Sequence, residues 1–162
     1  MKIIAQKAGK TDKLDRLRYL RQDGSSTETA MPRQGILPHD LVHFVVETQL
    51  GLQNGFTGLV ARGANASFAM ETTHEPIGKD VAAEAIQVEG IVEALQTQLW
   101  SGQFSAGDFL EGVRTACLMR ATPAFEFASP ATGQRLFDAA LELDAQWQAV
   151  PFYGSLTVDF PV

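Results

Sequence analysis

The strongest constraint on the fold lies between residues 14 and 31. Leu14 to Gln22 alternates at period two, with Leu17 and Tyr19 on one side and Arg16 and Arg18 on the other, and then meets Asp23-Gly24 before the Thr-rich run Ser25 to Met31. Asp-Gly between two such runs marks a β-hairpin, because the tight turn needs a positive φ that Gly supplies without a steric penalty. Strands are therefore predicted over 14–22 and 25–31, already paired antiparallel.

The two ends of the chain carry the same period. Residues 2–8 read as a short strand, and near the C-terminus Leu156, Val158, Phe160 and Val162 alternate with Thr157, Asp159 and Pro161. That is the pattern of a strand with one buried face, with Pro161 at an edge or beyond the ladder. Between them the period changes to that of a helix. Pro38 suits the first position of a helix that runs to about Leu50 and stops at Gly51. A short glycine-rich helix is predicted over 54–62 and a loop over 66–78. The longest helix follows from Lys79 to about Trp100, with Val81, Ala85, Val88, Val92, Leu95 and Leu99 at spacings of three and four. Ser105 with Asp108 resembles a capping box and opens a helix that reaches Thr122-Pro123, and Ser129-Pro130 opens a last one that ends before Pro151. Strands first, helices in the middle and one strand last specify an α+β fold: a small antiparallel sheet, built from the N-terminal strand, the hairpin and the C-terminal strand, packed against four to five helices. The 162 residues, 45% of them hydrophobic, suit one domain over 1–162 with a full core and with the chain ends pairing or lying close.

Charge is unevenly spread. Residues 1–23 hold seven Lys/Arg against three Asp, whereas the remainder holds six against sixteen. Lys7, Lys10, Lys13, Arg16, Arg18 and Arg21 are thus candidates for a phosphate or nucleic-acid patch. Tyr19 is the only aromatic among them, which argues against nucleic acid; charges that discourage edge pairing of an exposed strand are the better reading. A single cysteine, Cys117, excludes an internal disulfide and a cysteine-based zinc site, so a reducing, cytoplasmic setting is expected and Cys117 reads as buried helix filler. No apolar run has the length of a signal peptide core or a membrane span. The glycines of 51–64 match neither a P-loop nor a dinucleotide fingerprint.

The candidate site lies on the helix that starts at Pro38. His39, His43 and Glu47 recur every four residues and form a stripe about 80° wide, bordered by Asp40, while Leu41, Val42, Val45 and Val46 face the core. Two histidines at this spacing can direct ring nitrogens at one ion, as in zinc helices of the H-E-x-x-H type, with Asp40 standing where those carry Glu. His39 and Glu47 are separated by about 12 Å of helix rise, too far to share an ion whose ligands all lie about 2 Å from it. The third ligand is therefore expected from the 71–75 loop, where His74 sits between Glu71 and Glu75. This gives a His39/His43/His74 site for zinc or another divalent metal, with Glu47 or Asp40 as base or as a group orienting the ligands, in a metal-dependent hydrolase acting on a small molecule. Glu89 and Glu93 read as a solvated face of the long helix. The competing reading is a non-enzymatic interaction or homodimerising module without metal, in which His43 and Glu47 make a helix-surface hydrogen bond and His39 faces solvent.

Overall fold

The computed structural model describes residues 1–67 and 79–162. Four strands, β1 (Lys2–Gln6), β2 (Leu14–Leu20), β3 (Ser26–Pro32) and β4 (Ser155–Asp159), form one antiparallel sheet in the order β3-β2-β1-β4. Five helices follow β3 among the described residues: α1 (His39–Leu50), α2 (Phe56–Ala61), α3 (Lys79–Ser101), α4 (Ala106–Met119) and α5 (Thr132–Ala149). This is the α+β arrangement expected from the sequence. None of these helices is long and apolar enough to cross a membrane.

The sheet follows its alternation. In the register Ile3 lies between Tyr19 and Val158, and Ala5 between Leu17 and Leu156. Ile3, Ala5, Leu17, Tyr19 and Met31 are buried beneath the helices, while Lys2, Gln6, Arg16 and Arg18 face solvent. Fully burying such a large apolar side chain stabilises by roughly 1.5–3 kcal/mol, so the inner face is what holds the sheet to the helices. The hairpin turn forms as its chemistry requires: Gly24 takes a φ of 85°, and Asp23 accepts hydrogen bonds from the Ser25 amide and hydroxyl. The chain ends pair, with the Met1 ammonium donating to the Phe160 carbonyl at 2.8 Å.

Three details differ from the sequence reading. β2, which carries Arg16 and Arg18, is an interior strand, so these cations do not guard an edge; they line the solvated face of a one-sided sheet. Lys7 and Arg21 are likewise not free surface cations. Lys7 Nζ donates to the carbonyls of Gln148 and Val150 at the end of α5, and Arg21 donates to those of Val60 in the last turn of α2 and of Ala64 just beyond it, where helix carbonyls lack intrahelical partners. The last helix begins at Thr132, because Ser129 and Pro130 form a turn in which the Ser129 carbonyl accepts from the Thr132 amide at 3.1 Å. Cys117 is fully buried on α4, facing Gly90 of α3.

The helices that matter for the site are α1, α2 and α3. The ends of α1 and α3 match in reverse: Glu84, early in α3, accepts from the amides of Gln53 and Asn54 just beyond the end of α1, whereas Trp100, late in α3, lies against Gly35 just before its start. The two helices therefore pack antiparallel. The turn into α2 is tight, and a Cβ on Gly58 would drive into the Gln53 carbonyl. Gly58→Ala is expected to destabilise the protein by about 1–3 kcal/mol, the usual cost of overpacking, read as a lower midpoint in denaturant at unchanged slope.

Candidate functional site

α1 starts immediately after Pro38, whose carbonyl accepts from the amides of Leu41 and Val42, and it ends at Gly51 with a φ of 67°. Asp40 lies in its first turn, where a negative charge is favoured by the helix dipole. Leu41, Val42, Val45 and Val46 enter the core as their spacing requires. On the opposite stripe His39 and Asp40 are half-buried, but its inner part does not face water. His43 is 1% exposed and Glu47 0% exposed, because α3 and α2 close over them. The sequence reading took this stripe for the polar side of an otherwise apolar helix; at His43 and Glu47 it is instead covered, so those two groups need partners.

Glu47 finds partners on α2. Its two carboxylate oxygens accept the amides of Thr57 and Gly58, each at 2.9 Å, and Oε1 lies 3.3 Å from His43 Nδ1. Since a carboxylate that accepts two amides can only accept from the imidazole as well, Nδ1 carries the hydrogen and Nε2 points the other way. There it meets Glu89 of α3, with Nε2 3.1 Å from Oε1. The contact has ion-pair length but is out of line for an N–H donor, and among the described residues Nε2 has no aligned hydrogen-bond partner. The His39 ring packs edge-on to His43 with centroids 4.8 Å apart, and Phe56 tilts against His43 at 5.5 Å.

His39, His43 and Glu89 each bring a ligand-type atom to one place, with all three atoms within 4.8 Å of one another. Two imidazoles and a carboxylate are a donor set that suits zinc and other divalent transition metals. Ligands about 2 Å from a common ion sit some 3–4 Å apart, so small rotations of these side chains would close the set around one. Glu47 is not part of it, in keeping with the distance that separates it from His39 along the helix. His74, with Glu71 and Glu75, lies outside the described residues.

The electrostatics are those of tightly coupled buried groups. Burial disfavours the His43 imidazolium, but contact with Glu47 and Glu89 outweighs it and raises the pKa to about 10. His39 is pushed below the ordinary histidine value by burial and by repulsion from His43, against the pull of Glu89, Asp40 and Glu93. Burial raises the Asp40 carboxyl, with the two histidines opposing. Burial also acts to raise Glu89, yet its contact with His43, assisted by His39 and Arg120, holds it below the usual carboxylate range.

The sequence reading placed Glu89 on a solvated face and so missed it. A signal was present: His39/His43 and Glu89/Glu93 are both i, i+4 pairs, and two antiparallel helices bring such pairs opposite each other. No protein-family model, curated protein or solved structure matches the chain.

Two outcomes follow from this geometry. Glu47→Ala strands two amides and a buried imidazolium and is expected to cost about 3–5 kcal/mol in denaturant unfolding, with Glu47→Gln costing less because it keeps an acceptor. His43 binds its proton more tightly folded, at about 10, than at its ordinary value of 6.5, so its stabilisation is full below pH 6.5 and is lost as pH rises toward 10. In chelator, the unfolding midpoint should fall across that window, and the fall should be smaller in His43→Gln.

Proposed function

We propose that this protein is a metal-dependent hydrolase whose ion is held by His39, His43 and Glu89, with His74 a further candidate ligand. The observation that carries the reading is the convergence of two imidazole nitrogens and a carboxylate oxygen within 4.8 Å, on two helices that pack against each other. His43 Nε2 supports it: among the described residues its near partner, Glu89 Oε1 at 3.1 Å, is out of line for a hydrogen bond, and a buried nitrogen without an aligned partner is costly unless something else completes it. Three protein ligands leave a coordination position for water or substrate, the arrangement of catalytic rather than structural sites. A divalent ion there would lower the pKa of a bound water and polarise a carbonyl or phosphoryl oxygen.

The residues around the ligands divide the remaining work. Glu47, closed off from solvent and occupied by two amides, is the positioning residue: it receives Nδ1–H of His43 and so directs Nε2 at the ion. Asp40 borders the stripe, its carboxyl held above the usual carboxylate range by burial, and is the candidate base for a water at the ion. The substrate is a small molecule in this reading.

One observation favours a second reading. His43 lies between two carboxylates with its pKa raised to about 10, which is what a purely structural buried imidazolium would show in a metal-free interaction or dimerisation module. Titration of chelator-treated protein with Zn2+ or Co2+ separates the two. The hydrolase reading expects about one equivalent per chain, with His39→Ala and Glu89→Gln each weakening affinity by at least about tenfold to a hundredfold. Absence of stoichiometric binding, in a protein that tolerates both substitutions, would leave the metal-free module.

A further inference from the structure

The four groups on one face of α3 extend the site along the protein surface. Glu93, Gln96 and Trp100 follow Glu89 at intervals of four, three and four residues, which keeps all four within about 60° around the helix axis. Glu89 meets the histidines, Glu93 on the next turn pairs with Arg120 of α4 at 2.5 Å, and Gln96 is half-buried. The row ends in Trp100, which is 59% exposed although Trp is among the side chains with the most apolar area to hide. The ring is not loose. Its benzo edge is pressed against Gly35, where an added Cβ would lie 3.0 Å from the indole, so the backbone before α1 holds one edge and leaves most of the ring open. The other tryptophan, Trp147, is 3% exposed beneath Lys7, so the open indole is a property of this place.

Because α1 and α3 are antiparallel, the direction from His43 to His39 to Gly35 on one helix runs alongside that from Glu89 to Glu93 to Trp100 on the other. Both lead outward from the histidine cluster to the open indole. The helix rise puts Trp100 about 16 Å from the level of Glu89 and about 10 Å from that of His39. A fixed, exposed aromatic face at that distance, on the same row as a metal-ligand carboxylate, has the character of a distal binding subsite.

Resting on the metal-site reading above, we propose that Trp100 binds a flat apolar or aromatic group of the ligand, while the polar, metal-seeking end of the same molecule reaches His39, His43 and Glu89. The substrate class is then an elongated molecule with an aromatic group about 10–16 Å from the bond that reacts.

The test uses zinc-loaded protein and two hydroxamic acids, which chelate zinc: acetohydroxamic acid, and a longer hydroxamate whose terminal phenyl ring lies about 10–16 Å from the chelating group. The longer compound is expected to bind wild-type protein about tenfold more tightly, and Trp100→Ala to abolish that gain while leaving acetohydroxamic acid affinity unchanged. In a Trp147→Phe variant, where Trp100 is the sole indole, the longer compound should shift the fluorescence and acetohydroxamic acid should not. Equal affinities for the two compounds, or a gain that survives Trp100→Ala while acetohydroxamic acid still binds, would overturn the subsite and leave the metal site standing. A change of oligomeric state in Trp100→Ala would overturn it too, by showing that a second copy covers the indole. Failure of zinc itself to bind removes both proposals together.

Discussion

The Glu47 carboxylate is the group on which the rest of the structure turns. Moving a carboxylate out of water carries a penalty of several kcal/mol even after the protein relaxes around it, and Glu47 has no access to solvent. What offsets the penalty comes from three directions: two amides at the start of α2, and the imidazole one turn back on α1. These contacts explain features that look unrelated in the sequence. Gly55 lacks a side chain because a Cβ there would strike the Glu47 carboxylate, and Gly58 because its backbone closes on Gln53. α2, only six residues long and marginal by its own propensity, stays in place because its first amides have a charged acceptor. His43 in turn has its ring orientation and tautomer fixed from behind.

The same arrangement makes His43 a shared element. One nitrogen belongs to Glu47 and the other faces Glu89, so a proton or a metal ion can hold the second nitrogen, but not both. Either occupant supplies positive charge between α1 and α3, and the three surrounding carboxylates, Asp40, Glu47 and Glu89, make such charge welcome. Exposed residues contribute little by comparison. Lys2 and Asp159, both largely in water, form an ion pair of the kind that adds little to stability. Buried charge contacts lie on the stripe and at the bidentate Asp15–Arg33 pair, where Asp15 is itself buried.

Much of the fold was legible because its signals are local. Asp23-Gly24 fixes the hairpin, the alternation of Leu156, Val158 and Phe160 marks β4, and Pro38 and Gly51 bracket α1. What the sequence withheld depends on which elements become neighbours. Arg16 and Arg18 suggested an exposed edge, but β1 pairs with β2 and with β4, and this moves β2 into the sheet interior. The histidine stripe was visible as a stripe, yet helical periodicity reports only which residues share a face, not whether another helix covers it. For the same reason Glu89 passed for a solvated residue: a lone carboxylate on an amphipathic helix reads as surface until a cation on a second helix is found opposite it.

Helix pairing therefore links the chemistry of the site to the seating of α2. Glu84 and Glu89 lie on α3, His43 and Glu47 on α1, and the segment from Gln53 to Gly58 is tied to both helices through Glu84 and Glu47. Any change in what occupies His43 Nε2 alters the charge that α1 and α3 share, and that change reaches α2 through a carboxylate with no water to screen it. A site built in this way cannot exchange its occupant without altering the balance that holds its cover. Loss of α2 contacts, conversely, would release Glu47 and with it the orientation of His43. Occupancy of the proposed metal position and order in the 53–58 segment would then be two readouts of one interaction.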